Sequence, residues 1–177
     1  MIERREIDLR EIKLLGGIGA ICILVMPFAG LVLVLVALKK LADATGRESL
    51  FKDFFVATVI SSVFLFSLYI GWMGMYFIFP QNPPRQSASA VAPFLILFFL
   101  FAWIAGIFTT IYARRSLEAL SQITGEKMFN TSGMLLFLGA LLTIILLAGL
   151  IVLFIGLIYL IVAFFSLPDK LEYEVAG

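Results

Sequence analysis

Reactive side chains are scarce in this chain of 177 residues, and what is missing limits the chemistry first. There is no histidine, which removes the usual general base near neutral pH, the commonest metal ligand and the usual haem ligand. The single cysteine, Cys22, can form neither an intramolecular disulfide nor a multi-thiolate metal site. No nucleophile elbow, Walker loop or calcium-binding loop occurs in the sequence. The carboxylates Asp43, Glu48, Asp53, Glu118 and Glu126 fall at the density of solvated connectors. The expectation is a protein that is not an enzyme, with no catalytic residues, no cofactor-binding residues, no cofactor and no metal site. A net charge of +1 gives no footprint for nucleic acid.

Two kinds of stripe remain. Ser62, Tyr69, Trp72 and Tyr76 fall within an arc of about 90° at helical spacing. They read as an interfacial aromatic belt with helix packing; the competing reading is a groove for a lipid or hydrophobic ligand. Small residues recur at Gly149, Gly156 and Ala163, at Gly16 and Ala20, and at Ala102 and Gly106. Such spacing lets membrane helices approach closely.

The elements that must carry these residues follow from composition. The chain is 62% apolar and 14% charged, with 18 phenylalanines, whereas soluble domains are about half apolar and about a quarter charged. That excludes an ordinary soluble fold, disorder and a disulfide scaffold. The uncharged runs 14–38, 54–79, 91–113 and 133–167 contain no Asp, Glu, Lys, Arg, Asn or Gln. Each is long enough to cross a hydrocarbon core of about 30 Å, and none alternates as a barrel strand would. The expected fold class is therefore all-α, a polytopic membrane protein with four transmembrane helices arranged as two tandem helical hairpins.

Local features refine that picture. Residues 1–13 mix four acids with four bases and read as an amphipathic surface helix, not as a cleavable signal. Pro27 should kink the first span by freeing the carbonyl of Ile23. Run 133–167 would measure about 52 Å as one helix, which calls for tilt or an interfacial first turn. The first hairpin is set at 14–79 with connector 39–53. A Pro/Ser-rich loop occupies 80–90, where Ser89 is expected to cap the third span and Pro93 to sit in its first turn. The second hairpin is set at 91–167 with connector 114–132, and a polar tail at 168–177.

The connectors share a motif. Leu38-Lys39-Lys40-Leu41-Ala42-Asp43-Ala44-Thr45-Gly46 and Leu117-Glu118-Ala119-Leu120-Ser121-Gln122-Ile123-Thr124-Gly125 both read L-x-x-L-x-x-x-T-G, 79 residues apart. Each predicts a helix that outruns the span and stops at a glycine in the left-handed C′ position. The pattern suggests a parallel internal repeat.

The stretches LKKLADATGRESLFKDF and LEALSQITGEKMFNTSGMLLFLGALLTIIL, with the closing IVAFFSL, resemble an archaeal integral-membrane family catalogued as domain of unknown function 996. The resemblance covers nearly the whole chain. It implies a four-span membrane protein without assigned activity, and it brings no site residues.

Localisation is expected in the cell membrane, multi-pass, with both termini on the same side. Seven Lys and Arg in the connectors stand against six elsewhere, so positive-inside counting decides nothing in a four-span arrangement. The expected partners are the lipid bilayer and, through the small-residue faces, a homo-oligomer or a larger membrane complex. The function expected is a non-enzymatic structural, accessory or self-associating membrane component. The alternative is a channel or carrier for a small neutral or lipid-like solute, which the absence of ionisable residues inside the spans allows.

Overall fold

The computed structural model describes residues 3–78 and 85–175. Its elements, in order, are β1 (Glu3–Asp8), α1 (Arg10–Val25), α2 (Pro27–Thr45), α3 (Glu48–Ile78), α4 (Arg85–Thr124), α5 (Lys127–Leu142), α6 (Leu146–Phe165) and β2 (Lys170–Val175). Among the described residues the fold is helical apart from a two-stranded antiparallel sheet of β1 with β2. Three helical segments, Glu48–Ser67, Ile96–Thr124 and Ala148–Phe165, are long and apolar enough to cross a membrane.

The first apolar run is not one kinked helix. It is two helices, α1 and α2, which reverse direction at Met26 and pack against each other. Met26 leaves helical geometry at φ −136°, ψ 81°, and Pro27 opens α2 at a position where a missing N–H costs nothing. The Met26 N–H donates to the Cys22 carbonyl at 2.7 Å, and the Gly30 N–H donates to the Met26 carbonyl at 3.0 Å. Glycine makes the reversal tight: a Cβ at Gly19 would lie 2.8 Å from the Val34 nitrogen, and one at Gly30 would overlap the backbone of Ile23.

The last run divides in the same way. Helices α5 and α6 pack as a second hairpin around Thr143–Ile145, which explains a run too long for one crossing. A Cβ at Gly139 would lie 2.7 Å from the Leu153 nitrogen. Ser132, fully buried on α5, donates its hydroxyl to the Gly156 carbonyl of α6 at 2.9 Å.

The repeated motif is real as a turn. Gly46 and Gly125 have φ of 70° and 74°, the left-handed conformation that glycine adopts without a steric penalty. Thr45 and Thr124 each donate a hydroxyl to the carbonyl four residues back, Leu41 and Leu120, at 2.8 Å. Leu38, Leu41, Leu117 and Leu120 are all fully buried. The surroundings differ, because a folded-back hairpin precedes the first turn and another follows the second.

Three local expectations change. Residues 3–8 are a strand and not a helix, because a partner exists: β2 pairs with it from Glu3↔Val175 to Asp8↔Lys170. The polar tail supplies that partner. Helix α4 begins at Arg85, so Ser89 lies inside the helix and Pro93 beyond its first turn. Part of the expected loop 80–90 falls outside the described residues.

The core sits at one end, under the sheet. Leu9, Leu38, Leu41, Leu50, Leu117, Leu120, Phe129, Phe164 and Leu167 are essentially inaccessible there. Phe129 and Phe164 meet edge to face at 5.0 Å between centroids, a geometry that the ring quadrupole favours. The buried Ser116 hydroxyl of α4 donates to the Leu50 carbonyl of α3 at 2.8 Å. Lys40 pairs with Glu11, and the Leu9 N–H donates to the Asp169 carbonyl at 2.9 Å. Connectors and chain ends therefore share one end of the molecule.

Candidate functional site

Helices α3 and α4 run antiparallel, and the α5–α6 hairpin leans on α4. Between them lies a cavity of about 290 Å³ lined by Ser61 and Phe64 of α3, Trp103, Gly106 and Thr110 of α4, Ala140 of α5, Thr143 of the α5–α6 turn and Leu153 of α6. A second cavity of about 240 Å³ shares Ser61, Thr109, Thr110 and Leu153 with it and reaches toward Ile23 and Leu31 of the first hairpin.

These walls are apolar with a few hydroxyls, and those of Ser61, Thr110 and Thr143 are engaged. Ser61 donates to the Ala57 carbonyl at 2.7 Å, Thr110 to Gly106 at 3.1 Å and Thr143 to Gly139 at 2.8 Å. Back-bonding of this kind satisfies these three hydroxyl donors within their own helices. Trp103 donates its indole N–H to the Ala140 carbonyl at 3.0 Å, which ties α4 to α5. The chemistry on offer is apolar contact with weak acceptors, suited to an uncharged apolar guest and not to proton or metal chemistry.

The residues singled out in the sequence disperse. Of the aromatic stripe, Tyr69 points outward at 63% exposure, Ser62 is half-buried, and the Trp72 and Tyr76 side chains lie outside the described ones. Neither Ser62 nor Tyr69 lines either cavity. The connector carboxylates stay apart: Glu48 pairs with Lys52 at 2.6 Å, and Glu126 accepts from the Met128 N–H at 3.2 Å. No group of three His, Cys, Asp or Glu able to hold a metal exists among the described residues. Cys22 is a half-buried free thiol.

The small-residue faces work mostly inside the chain. The Phe164 ring covers Gly16, Ala20 and Ala163 are fully buried, and Gly156 lies against Leu135 and Leu136. Gly106 differs, since a Cβ there would meet nothing within 4 Å. Sequence reasoning saw Ala102 and Gly106 as a packing seam but did not foresee the cavity. Its walls come from four helices brought together by a reversal that carries no Gly, Asn, Asp or Ser.

Comparison with known proteins gives a family and a relative. A family model described as a protein of unknown function (DUF996) matches residues 26–158. The uncharacterized protein MJ1644 of Methanocaldococcus jannaschii is 34% identical over 183 residues, covering 96% of this chain and 98% of that protein. No solved structure matches.

Proposed function

This chain belongs to the DUF996 family of proteins of unknown function, and we propose that it serves as a non-enzymatic structural or accessory component of the cell membrane. One observation carries this reading: the charged residues gather at one end, around the sheet and connectors, while the helices beyond them present exposed apolar side chains. Val59, Val63, Phe66 and Ile70 of α3 and Ile96, Leu97 and Phe101 of α4 are each 44% or more exposed. An apolar surface of that extent requires lipid or another protein around it. The chain is multi-pass, and pairing of β1 with β2 supports placing both termini on one side of the bilayer.

Self-association or docking onto a membrane complex completes the reading. The small-residue faces of α1 and α6 are consumed within the chain, so partner contact falls to the outer faces of α3 and α4. Purification of the intact protein in mild detergent followed by native mass measurement tests this. Oligomers or a stoichiometric membrane partner support it, and a strict monomer without a partner overturns it.

A second reading, a carrier for a small neutral or lipid-like solute, is favoured by the cavity at Trp103. Under it, Trp103→Ala changes solute flux in reconstituted vesicles while Tyr69→Ala, at an outward-facing site, does not. Equal flux in both variants counts against it.

A further inference from the structure

The depth of the two hairpin tips gives the molecule a shape with a mechanical consequence. Ser61 and Phe64 of α3 line one cavity with Phe99 and Trp103 of α4 and with Thr143 at the second tip. The second cavity brings Ile23 and Leu31, on either side of the first tip, level with Ala57 and Thr58. Both tips therefore end near Ser61–Phe64. From Phe54, where the uncharged run begins, to Phe64 is about 15 Å of helix, half of a hydrocarbon core of roughly 30 Å. Beyond the tips, α3 continues from Phe64 to Ile78 and α4 extends back from Phe99 to Arg85, each for about 21 Å.

The tips themselves are suited to hydrocarbon. Val25, Met26, Ile144 and Ile145 are 79%, 63%, 54% and 61% exposed. The one polar side chain at the tips, Thr143, bonds back to the Gly139 carbonyl, and the turns bond their backbones internally: Met26 to Cys22, Thr143 to Ala140 and Ile145 to Leu142. Such internal pairing is what hydrocarbon demands of any backbone it surrounds. The Lys40–Glu11 ion pair excludes a first run that crosses fully, because its two ends would then stand on opposite faces.

We propose that the protein is a one-sided membrane wedge. Only α3 and α4 cross; α1–α2 and α5–α6 enter the leaflet beneath the terminal sheet and return, with α6 at a slant because its 20 residues, about 30 Å, exceed one leaflet, and the protein favours membrane curved so that this leaflet is convex. Six helices occupy the sheet-side leaflet and two the other. At a helix diameter of about 10 Å, four additional helices crowd one leaflet. The partner is the bilayer itself, in a curved state. This arrangement also fixes orientation, since every Lys and Arg except Arg85 lies on the sheet side. The positive-inside rule then places the sheet and the wedged leaflet toward the cytoplasm.

The inference rests on the membrane reading above, and its test separates the two. The full chain carrying Cys22→Ser receives one new thiol at a time, by Asp43→Cys, Glu118→Cys or Ser87→Cys, and is probed in sealed vesicles with a membrane-impermeant maleimide. Asp43→Cys and Glu118→Cys label from the same face as a C-terminal tag, and Ser87→Cys from the other. Labelling of both connectors opposite the tag overturns the one-sided topology. Fluorescent protein is then reconstituted sheet-side out in giant vesicles, and narrow tubes are pulled from them. Severalfold enrichment on the tube over the vesicle body is expected. Equal density overturns curvature preference and leaves the labelled topology standing. Release of the chain from membranes by alkaline carbonate overturns the membrane reading itself.

Discussion

Glycine carries the hairpins residue by residue, and the positions are not equivalent. Gly30 faces the backbone of Ile23 with no room for a methyl group, while Gly106 faces open space. Overpacking against a backbone that cannot yield costs about 1–3 kcal/mol. Gly30→Ala should therefore lower stability by that amount in detergent unfolding experiments. Gly106→Ala, inside a helix with space to spare, should be neutral or stabilise by up to about 1 kcal/mol. Both values can be read from the same denaturation series. A loss of similar size in both variants would mean that the close approach of α1 and α2 is not what Gly30 provides.

Elements show which parts of the fold the sequence could announce. The Thr-Gly stops were legible because their cause is local: a left-handed residue ends a helix wherever it occurs. Gly46→Ala and Gly125→Ala should each cost about 1 kcal/mol, since alanine resists the left-handed region, and thermal unfolding of each variant checks this. The reversals at Met26 and Thr143–Ile145 were not legible. Turns are ordinarily recognised by Gly, Asn, Asp and Ser because these take left-handed conformations or bond their own backbone, and neither reversal uses a left-handed residue: Met26, Thr143 and Ile145 all have negative φ. Pro27 suggested a kink where it marks a reversal, and run 133–167 suggested tilt where its excess length is folded back. Strand β1 was invisible for another reason: nothing near it in the chain pairs with it, and its partner begins at Lys170. The cavity at Trp103 was equally hidden, because it exists only once α5 has turned back against α4 and α3.

At the scale of the whole molecule, packing is concentrated at the sheet end, and among the described side chains of the far halves of α3 and α4, Phe66, Tyr69, Ile70, Met73, Ile96 and Leu97 are exposed. Removing residues 170–177 should detach the first strand while leaving α3 and α4 in place. Limited proteolysis of membranes checks this: cleavage within 3–9 should accelerate, while the protected α3–α4 fragment should not change. Unchanged protection of the N-terminal strand would show that α1 and its neighbours hold that strand without the sheet.

The clasp between the first and last strands also governs how the chain is made. Strand β1 leaves the ribosome long before β2, and Leu9 cannot donate to the Asp169 carbonyl until residue 169 has been made. The opening hairpin must therefore wait in the membrane with its strand unmatched while everything between is threaded. Loop closure over so long a stretch comes late in assembly. A nascent chain that stalls anywhere before residue 170 thus leaves residues 3–8 without the strand they pair with.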